Sequence, residues 1–204
     1  MRVLVACEYS GRVRNAFRAR GIDARSCDLL PAEDGPTPWH WQDSLEHIIG
    51  KSFVQFDMII AHPPCTYLCN SGVRWLHTEL GRREKMQEAA EFFRWILGLP
   101  IPHIAVENPV MHRYAREAIG GERPAFTVQP WQFGDPAKKR TCFWTRGLPP
   151  LTPTSAMTAA DARADCHLAS PGPDRWKERS RTYQGIADAI ADQWGAILEA
   201  EAAA

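Results

Sequence analysis

The stretch Phe56-Asp57-Met58-Ile59-Ile60-Ala61-His62-Pro63-Pro64-Cys65 constrains the chain more than any other: a run of apolar residues is cut off by two prolines and a cysteine. The run is too short for a helix, and it stops at residues that cannot donate to a ladder. It therefore reads as a strand buried on both faces, the signature of a parallel sheet. Cys65 falls just past the carboxyl end of that strand. Open α/β sheets bind and transform small molecules in the crevice beyond those ends, so the position offers the thiol a ligand rather than a core. The polar residues Thr66, Tyr67, Asn70, Ser71 and Gly72 that follow place Cys65 in a loop and make it a candidate nucleophile. Two plainer readings stand beside this one. Free cysteine commonly packs as a small hydrophobe, and His62, Cys65 and Cys69 could share a metal, although no CxxC pair completes a zinc site.

The rest of the chain repeats the theme. Val3 to Cys7 is apolar and β-branched, then Glu8-Tyr9-Ser10-Gly11 leads into a helical pattern through Ala19: strand, turn, helix. This is the opening of a cofactor-binding fold, with Gly11 permitting the turn and a close backbone approach. Gly21 ends the helix, and Ile22 to Cys27 form a second strand with Asp28 at its tip, where doubly wound folds accept ribose hydroxyls. Residues 31–41 carry three prolines and a glycine and read as a loop, followed by Asp43-Ser44 capping a short helix over 45–49. An amphipathic crossover helix spans about 80–97, and His103 to Val106 make another buried strand ending in Glu107-Asn108-Pro109. Two inner strands thus each end in a reactive group followed or preceded by proline. A thiol and a carboxyl in one crevice suit nucleophilic attack with acid assistance.

Met111 to Ile119 reads as a helix, and Phe126 to Trp144 as strand, turn and strand with a basic shoulder at Lys138-Lys139-Arg140. Residues 148–182 lack periodicity and are rich in Pro, Ala, Ser, Thr and Asp, so they are expected to be extended. A last helix over 183–199 carries Ile186, Ala189, Ile190, Trp194 and Ile197 on one face, and 200–204 are expected to fray. The fold expected is a doubly wound α/β domain with a mostly parallel, Rossmann-like sheet and a terminal hairpin. One catalytic domain is expected from 1–147 together with 183–199.

Composition fits a single soluble domain: 204 residues, 45% hydrophobic, with 24 basic and 24 acidic side chains. Zero net charge does not advertise nucleic-acid binding, yet the bases gather in the last third, so a local basic face is compatible with the neutral whole. No signal-peptide core or membrane-length apolar run is present, and six scattered cysteines suit a reducing compartment, so a cytoplasmic location is expected.

In motif order the chain resembles the S-adenosylmethionine-dependent cytosine 5-methyltransferases of DNA, and in wording a compact phage and bacterial group of them. Tyr9-Ser10-Gly11 looks like the cofactor turn, Asp28 like the ribose-binding acid, Asp43 like the adenine contact, and Pro63-Pro64-Cys65 like the nucleophile motif. Glu107-Asn108-Pro109 is similar to the acid motif, and Lys139 and Thr141 fall where two arginines usually stand. Gly185 lies near the motif that closes the cofactor pocket. The resemblance implies a class I methyltransferase fold with little separate recognition domain, residues 148–182 standing in for one. It implies S-adenosyl-L-methionine as cofactor, held by Tyr9, Ser10, Gly11, Asp28, Asp43, Pro63 and Gly185, with no metal. It further implies DNA as partner, its cytosine flipped or single-stranded, in a bacterial or phage-infected cell, with no membrane partner. Oligomeric state is open, a homodimer included. Cys65 would add to the 6-carbon of cytosine and Glu107, protonated or sharing a proton, would hold ring nitrogen 3, with Lys139 and Thr141 on the exocyclic oxygen. The same chemistry on RNA or a nucleotide, or an idle DNA-binding module that needs a partner, are the alternatives.

Overall fold

The computed structural model describes residues 1–51, 55–164, 172 and 175–203. Seven strands form one sheet: β1 (Arg2–Ala6), β2 (Asp23–Asp28), β3 (His40–Gln42), β4 (Met58–Ala61), β5 (His103–Pro109), β6 (Phe126–Val128) and β7 (Thr141–Arg146). Their order is β3-β2-β1-β4-β5-β7-β6. β1 to β5 run parallel, and β7 is antiparallel to both β5 and β6. This is the mostly parallel, Rossmann-like sheet with a terminal hairpin that the sequence predicts. Among the described residues six α-helices accompany it: α1 (Arg12–Ala19), α2 (Leu45–Lys51), α3 (Arg82–Leu97), α4 (Arg113–Ala118), α5 (Arg175–Ser180) and α6 (Gln184–Ala202).

The continuous apolar strands follow from burial on two faces. Val3, Val5, Met58 and Ile60 point to one core with Phe17 of α1 and Trp194 of α6. Leu4, Ala6, Ile59 and Ala61 point to the other, with Phe93 and Ile96 of α3 and Ala115 of α4. Side chains that alternate along each strand thus fill opposite layers, and polar alternation has no place. Trp194 is fully buried, and its indole N–H donates to the Pro149 carbonyl at 3.0 Å, tying the long connection to α6.

Several local expectations change. His40 and Trp41, expected at the end of the loop over 31–41, pair with β2 together with Gln42 as β3, because Ser26, Cys27 and Asp28 offer an edge that even three residues can extend. The cysteine loop continues as a 3-10 helix over Asn70–His77, and another 3-10 turn, Pro130–Phe133, precedes the hairpin strand β7. α6 runs to Ala202, past 199 and into the tail expected to fray. Residues 148–182 are not extended throughout, since α5 lies among them; 165–171, 173 and 174 lie outside the described residues, as does Ala204. Among the described residues no helix is long and apolar enough to cross a membrane.

Candidate active site

The register of the sheet gathers the candidate residues at one edge. Ala6 pairs with Cys27 and Ala61, and Ala61 with Val106. The next residue along each strand is therefore Cys7, Asp28, His62 and Glu107, side by side at the carboxyl ends, where an open parallel sheet presents its crevice. Thr141, across from Pro109, brings the antiparallel strand to the same edge.

A small pocket at this edge is lined by His62, Glu107, Lys139, Thr141, Phe143, Thr182, Tyr183 and Ile186. Three of the four expected catalytic residues thus meet in one cavity. His62 Nδ1 lies 3.3 Å from Glu107 Oε2, with the two side chains 9% and 14% exposed. Lys139 donates to the Arg181 carbonyl at 3.1 Å, and its ammonium sits 5.9 Å from the Tyr183 ring. The Thr141 hydroxyl donates to the Lys139 carbonyl, which leaves it an acceptor toward the pocket. Burial alone would push the Glu107 carboxyl up, but the His62 hydrogen bond and the Lys139 charge outweigh it and hold the group below its usual range. At neutral pH Glu107 is a carboxylate, so the protonated form expected from the sequence requires a proton from a neighbour.

Cys65 is half-buried and does not line that pocket, although the charges of Glu107 and Lys139 both act on it. Its thiol hydrogen-bonds Cys69, one helical turn on, where the Cys69 N–H donates to the Cys65 carbonyl at 2.9 Å. That hydrogen bond, then burial and the Cys69 and Glu107 charges, push the Cys65 thiol far up, and Lys139 opposes them only weakly. Cys69 goes the other way, lowered to about 5 by the Cys65 thiol and by Ser71 and Gly72, with Ser71 Oγ at 3.0 Å. The pair thus favours ionisation at Cys69 over Cys65. The neighbouring thiol outweighs the Lys139 charge, which favours the Cys65 thiolate.

The expected cofactor residues line the same edge, with partners of their own. Gly11 caps α1 at φ 70°, and a Cβ there would lie 2.3 Å from Arg14 Nη2, so the glycine admits both the turn and the Arg14 guanidinium. The buried Ser10 sits beside Glu8, whose carboxylate accepts the Val13 N–H at 2.7 Å and the Arg14 N–H at 3.3 Å at the start of α1. The Tyr9 hydroxyl donates to the Lys177 carbonyl at 2.9 Å. Asp28 accepts the Leu30 N–H, and Asp43 holds the Ser44 N–H and His47 while Ser44 caps α2. Pro63 is buried after β4. Gly185 faces the backbone of Phe133 rather than open space: a Cβ there would stand 1.9 Å from the Phe133 carbonyl oxygen.

Does this edge suit a sulfonium cofactor? Burial pushes Glu8 and Asp28 upward, and His62 pulls both back. Together with Glu107 they give the edge an acidic lining, a donor set whose chemistry suits a cationic ligand. The residues present fit the group.

Two features escaped the sequence reading. His62 was weighed there only as a metal ligand, yet its place in register beside Glu107 was open to inference once both strands were recognised; among the described residues no metal-holding cluster occurs. The second is a patch of cations over aromatic rings beside the cysteine loop: Arg74 over Trp75 at 4.3 Å, Arg82 over Tyr67 at 5.1 Å and Arg113 over Tyr114 at 4.5 Å. These residues come from three elements, and only the fold brings them together.

No protein-family model and no curated protein matches the chain. Among solved structures, it is similar to a protein described as a candidate DNA modification methyltransferase encoded within a prophage of E. coli, at 21% identity over 71% of this chain and 46% of that one, TM-score 0.47. It is similar to the Entamoeba histolytica methyltransferase EhMeth at 13% identity over 84% of this chain and 60% of that one, TM-score 0.46. The S. pombe Dnmt2 methyltransferase follows at 14% identity, 74% and 50% coverage and TM-score 0.41. The chain spans about half the length of these structures. At such TM-scores the likeness says nothing about what this chain does, and the fold rests on its own sheet order.

Proposed function

We propose that the chain transfers a methyl group from S-adenosylmethionine to the 5-carbon of cytosine in DNA. The observation that carries this reading is the meeting of Glu107, Lys139 and Thr141 in one pocket at the carboxyl edge of the sheet, with the Cys65 thiol within reach of two of their charges. The motif order that resembles cytosine 5-methyltransferases supports it, and so does the cation and aromatic patch, which suits stacked bases and phosphates. In this reading residues 1–147 and 183–199 form the catalytic unit, and parts of 148–182 meet the DNA.

Asp28 and the turn over Cys7–Gly11 would hold the cofactor, with Pro63 beside it. When bound, S-adenosylmethionine supplies an electrophilic methyl group. Cys65 gives its proton to the Cys69 thiolate and adds to the 6-carbon, which turns an unreactive ring into an enamine nucleophilic at its 5-carbon. Glu107 meets ring nitrogen 3 and the exocyclic amine, and the Lys139 ammonium, with donors to spare beyond Arg181, meets the exocyclic oxygen. Loss of the 5-hydrogen then expels the Cys65 sulfur. A paired base cannot reach such a pocket, so DNA presents it flipped or unpaired, at a cost of about a few kcal/mol for a duplex.

Radiolabelled methyl transfer to duplex DNA, single-stranded DNA, RNA and dCMP tests the reading. Transfer to DNA is expected, abolished by Cys65→Ser with cofactor affinity retained. Transfer to RNA or dCMP alone reassigns the substrate. DNA binding without transfer to any of them makes the chain a binding module, and full activity in Cys65→Ser removes the mechanism.

A further inference from the structure

His62 is a titratable pocket residue to which that mechanism gives no role. Its side chain is 9% exposed, and Nδ1 faces Glu107 Oε2 at 3.3 Å. Nε2 is buried and has no hydrogen-bond partner among the described residues, although the imidazole lines the pocket. An imidazole whose Nδ1 faces a carboxylate carries its proton there, so the neutral ring turns a bare acceptor, and the charged ring a donor, toward the cavity.

We propose that His62 and Glu107 form a proton-holding dyad in which His62 positions Glu107 and supplies the proton that Glu107 delivers to ring nitrogen 3 of the target cytosine. The inference rests on the cytosine 5-methyltransferase reading. As the Cys65 sulfur bonds to the 6-carbon, the π pair of the 5,6 double bond moves into the 4,5 position, and the electrons of the 3,4 bond pass to nitrogen 3. Glu107 Oε2 receives a proton from the charged His62 at Nδ1 and passes it to nitrogen 3. When the 5-hydrogen leaves to solvent and the sulfur departs, nitrogen 3 returns its proton to Glu107, and the dyad is restored. His62 is a positioning residue, since it acts through Glu107.

Charged groups face the pair from several elements. Glu8 from the turn after β1, Asp28 from the end of β2 and Glu107 from β5 face His62 with negative charge. Lys139 from the loop before β7 faces Glu107 and keeps it ionised in the resting state, and the Cys65 and Cys142 thiols are the other titratable groups near it. An ionised Glu107 cannot donate, so without a neighbour to charge it the pocket lacks an acid.

Release of tritium from 5-tritiated cytosine in a single-stranded oligonucleotide, measured without cofactor, isolates addition and protonation from methyl transfer. The wild type is expected to exchange, with a rate that falls as alkaline pH strips the dyad. His62→Asn keeps an amide donor near the Nδ1 position but cannot titrate. It is expected to bind the oligonucleotide as the wild type does, exchange about 100-fold more slowly and lose that pH dependence. His62→Gln, assayed beside it at matched thermal stability, guards against a folding defect. Wild-type rate and pH profile in either folded variant overturn the dyad and leave the parent reading standing. No exchange by the wild type on any cytosine substrate overturns both. Nitrogen NMR of the free protein must also show the neutral His62 as the Nδ1–H tautomer, and the Nε2–H form refutes the arrangement outright.

Discussion

Replacing Gly185 by alanine tests the packing of the last helix against the hairpin, and the structure sets its size. The added Cβ would stand 1.9 Å from the carbonyl oxygen of Phe133, 2.8 Å from its carbon and 3.0 Å from Asp135 Oδ2. Backbone cannot rotate aside as a side-chain tip can, so the start of α6 must retreat by more than an ångström. That retreat would break the Gly185 N–H bond to Asp135, now 2.9 Å, and loosen Ile186, which is buried in the core and lines the pocket. Overpacking costs about 1–3 kcal/mol, and the lost hydrogen bond adds about 1 kcal/mol. A loss of about 3 kcal/mol lowers the midpoint of thermal unfolding by roughly 6–12 °C in a chain of this size. Gly195→Ala in the same helix is the control. Its Cβ would meet the Ile22 Cδ1 at 2.9 Å and the Arg20 side chain, both able to give way. Alanine there also gains about 0.8–1 kcal/mol of helix propensity, so the net change is expected within about 1 kcal/mol. Thermal melts followed by circular dichroism rank the three proteins. A Gly185→Ala variant as stable as the wild type, but weaker for S-adenosylmethionine, refutes the packing argument and returns Gly185 to the cofactor-closing role that the resemblance implies.

Two further predictions concern protons. With Cys69 lowered to about 5, iodoacetamide at pH 7 should label it before Cys65; removing it by Cys69→Ser takes away the largest cause of the high Cys65 value, so Cys65 labelling should then accelerate. Equal labelling of the two thiols by peptide mass spectrometry, or a Cys65 unaffected by the variant, contradicts the preference for ionisation at Cys69. Glu8 is buried with its pKa raised by burial, so the folded state holds its proton more tightly than the unfolded chain does. Its contribution is full below the unfolded value of about 4.3 and is lost as pH climbs through the folded value. Glu8→Gln, which keeps an oxygen for the Val13 N–H, should flatten that part of the stability profile and raise stability at pH 7 relative to pH 4, read by urea unfolding at the two pH values; an unchanged slope overturns the assignment.

Much of this was legible in the sequence because burial on two faces leaves a plain mark. Val3 to Ala6, Met58 to Ala61 and His103 to Val106 have no polar alternation, and Cys65 and Glu107, just past two of these runs, pointed to a common crevice. β3 was hidden, since His40-Trp41-Gln42 has no run to detect and exists only because β2 offers it a partner. The thiol pair was hidden for another reason. Cys65 and Cys69 are four residues apart, but whether their sulfurs meet depends on the turn between them, and a charge on one decides the state of the other. Gly185 was read as a pocket residue from its neighbourhood, whereas its partner, Phe133, lies some fifty positions earlier and is brought near only by the packing of α6.

The ties around α5 and the start of α6 bear on how anything large reaches the pocket. Tyr9 holds the Lys177 carbonyl, Arg12 donates to the Thr182 carbonyl at 2.8 Å, Lys139 to that of Arg181, and Arg181 pairs with Glu33. Four anchors from separate parts of the chain fasten this strap across one flank of the crevice, and Thr182 and Tyr183 wall the cavity from that side. The cavity is thereby closed by chain on the Thr182 and Tyr183 side, while the arginines stacked on Trp75, Tyr67 and Tyr114 stand beside the Cys65 loop. Strap and cavity wall are thus one continuous piece of chain, so loosening any of the four anchors reaches the pocket through Thr182 and Tyr183.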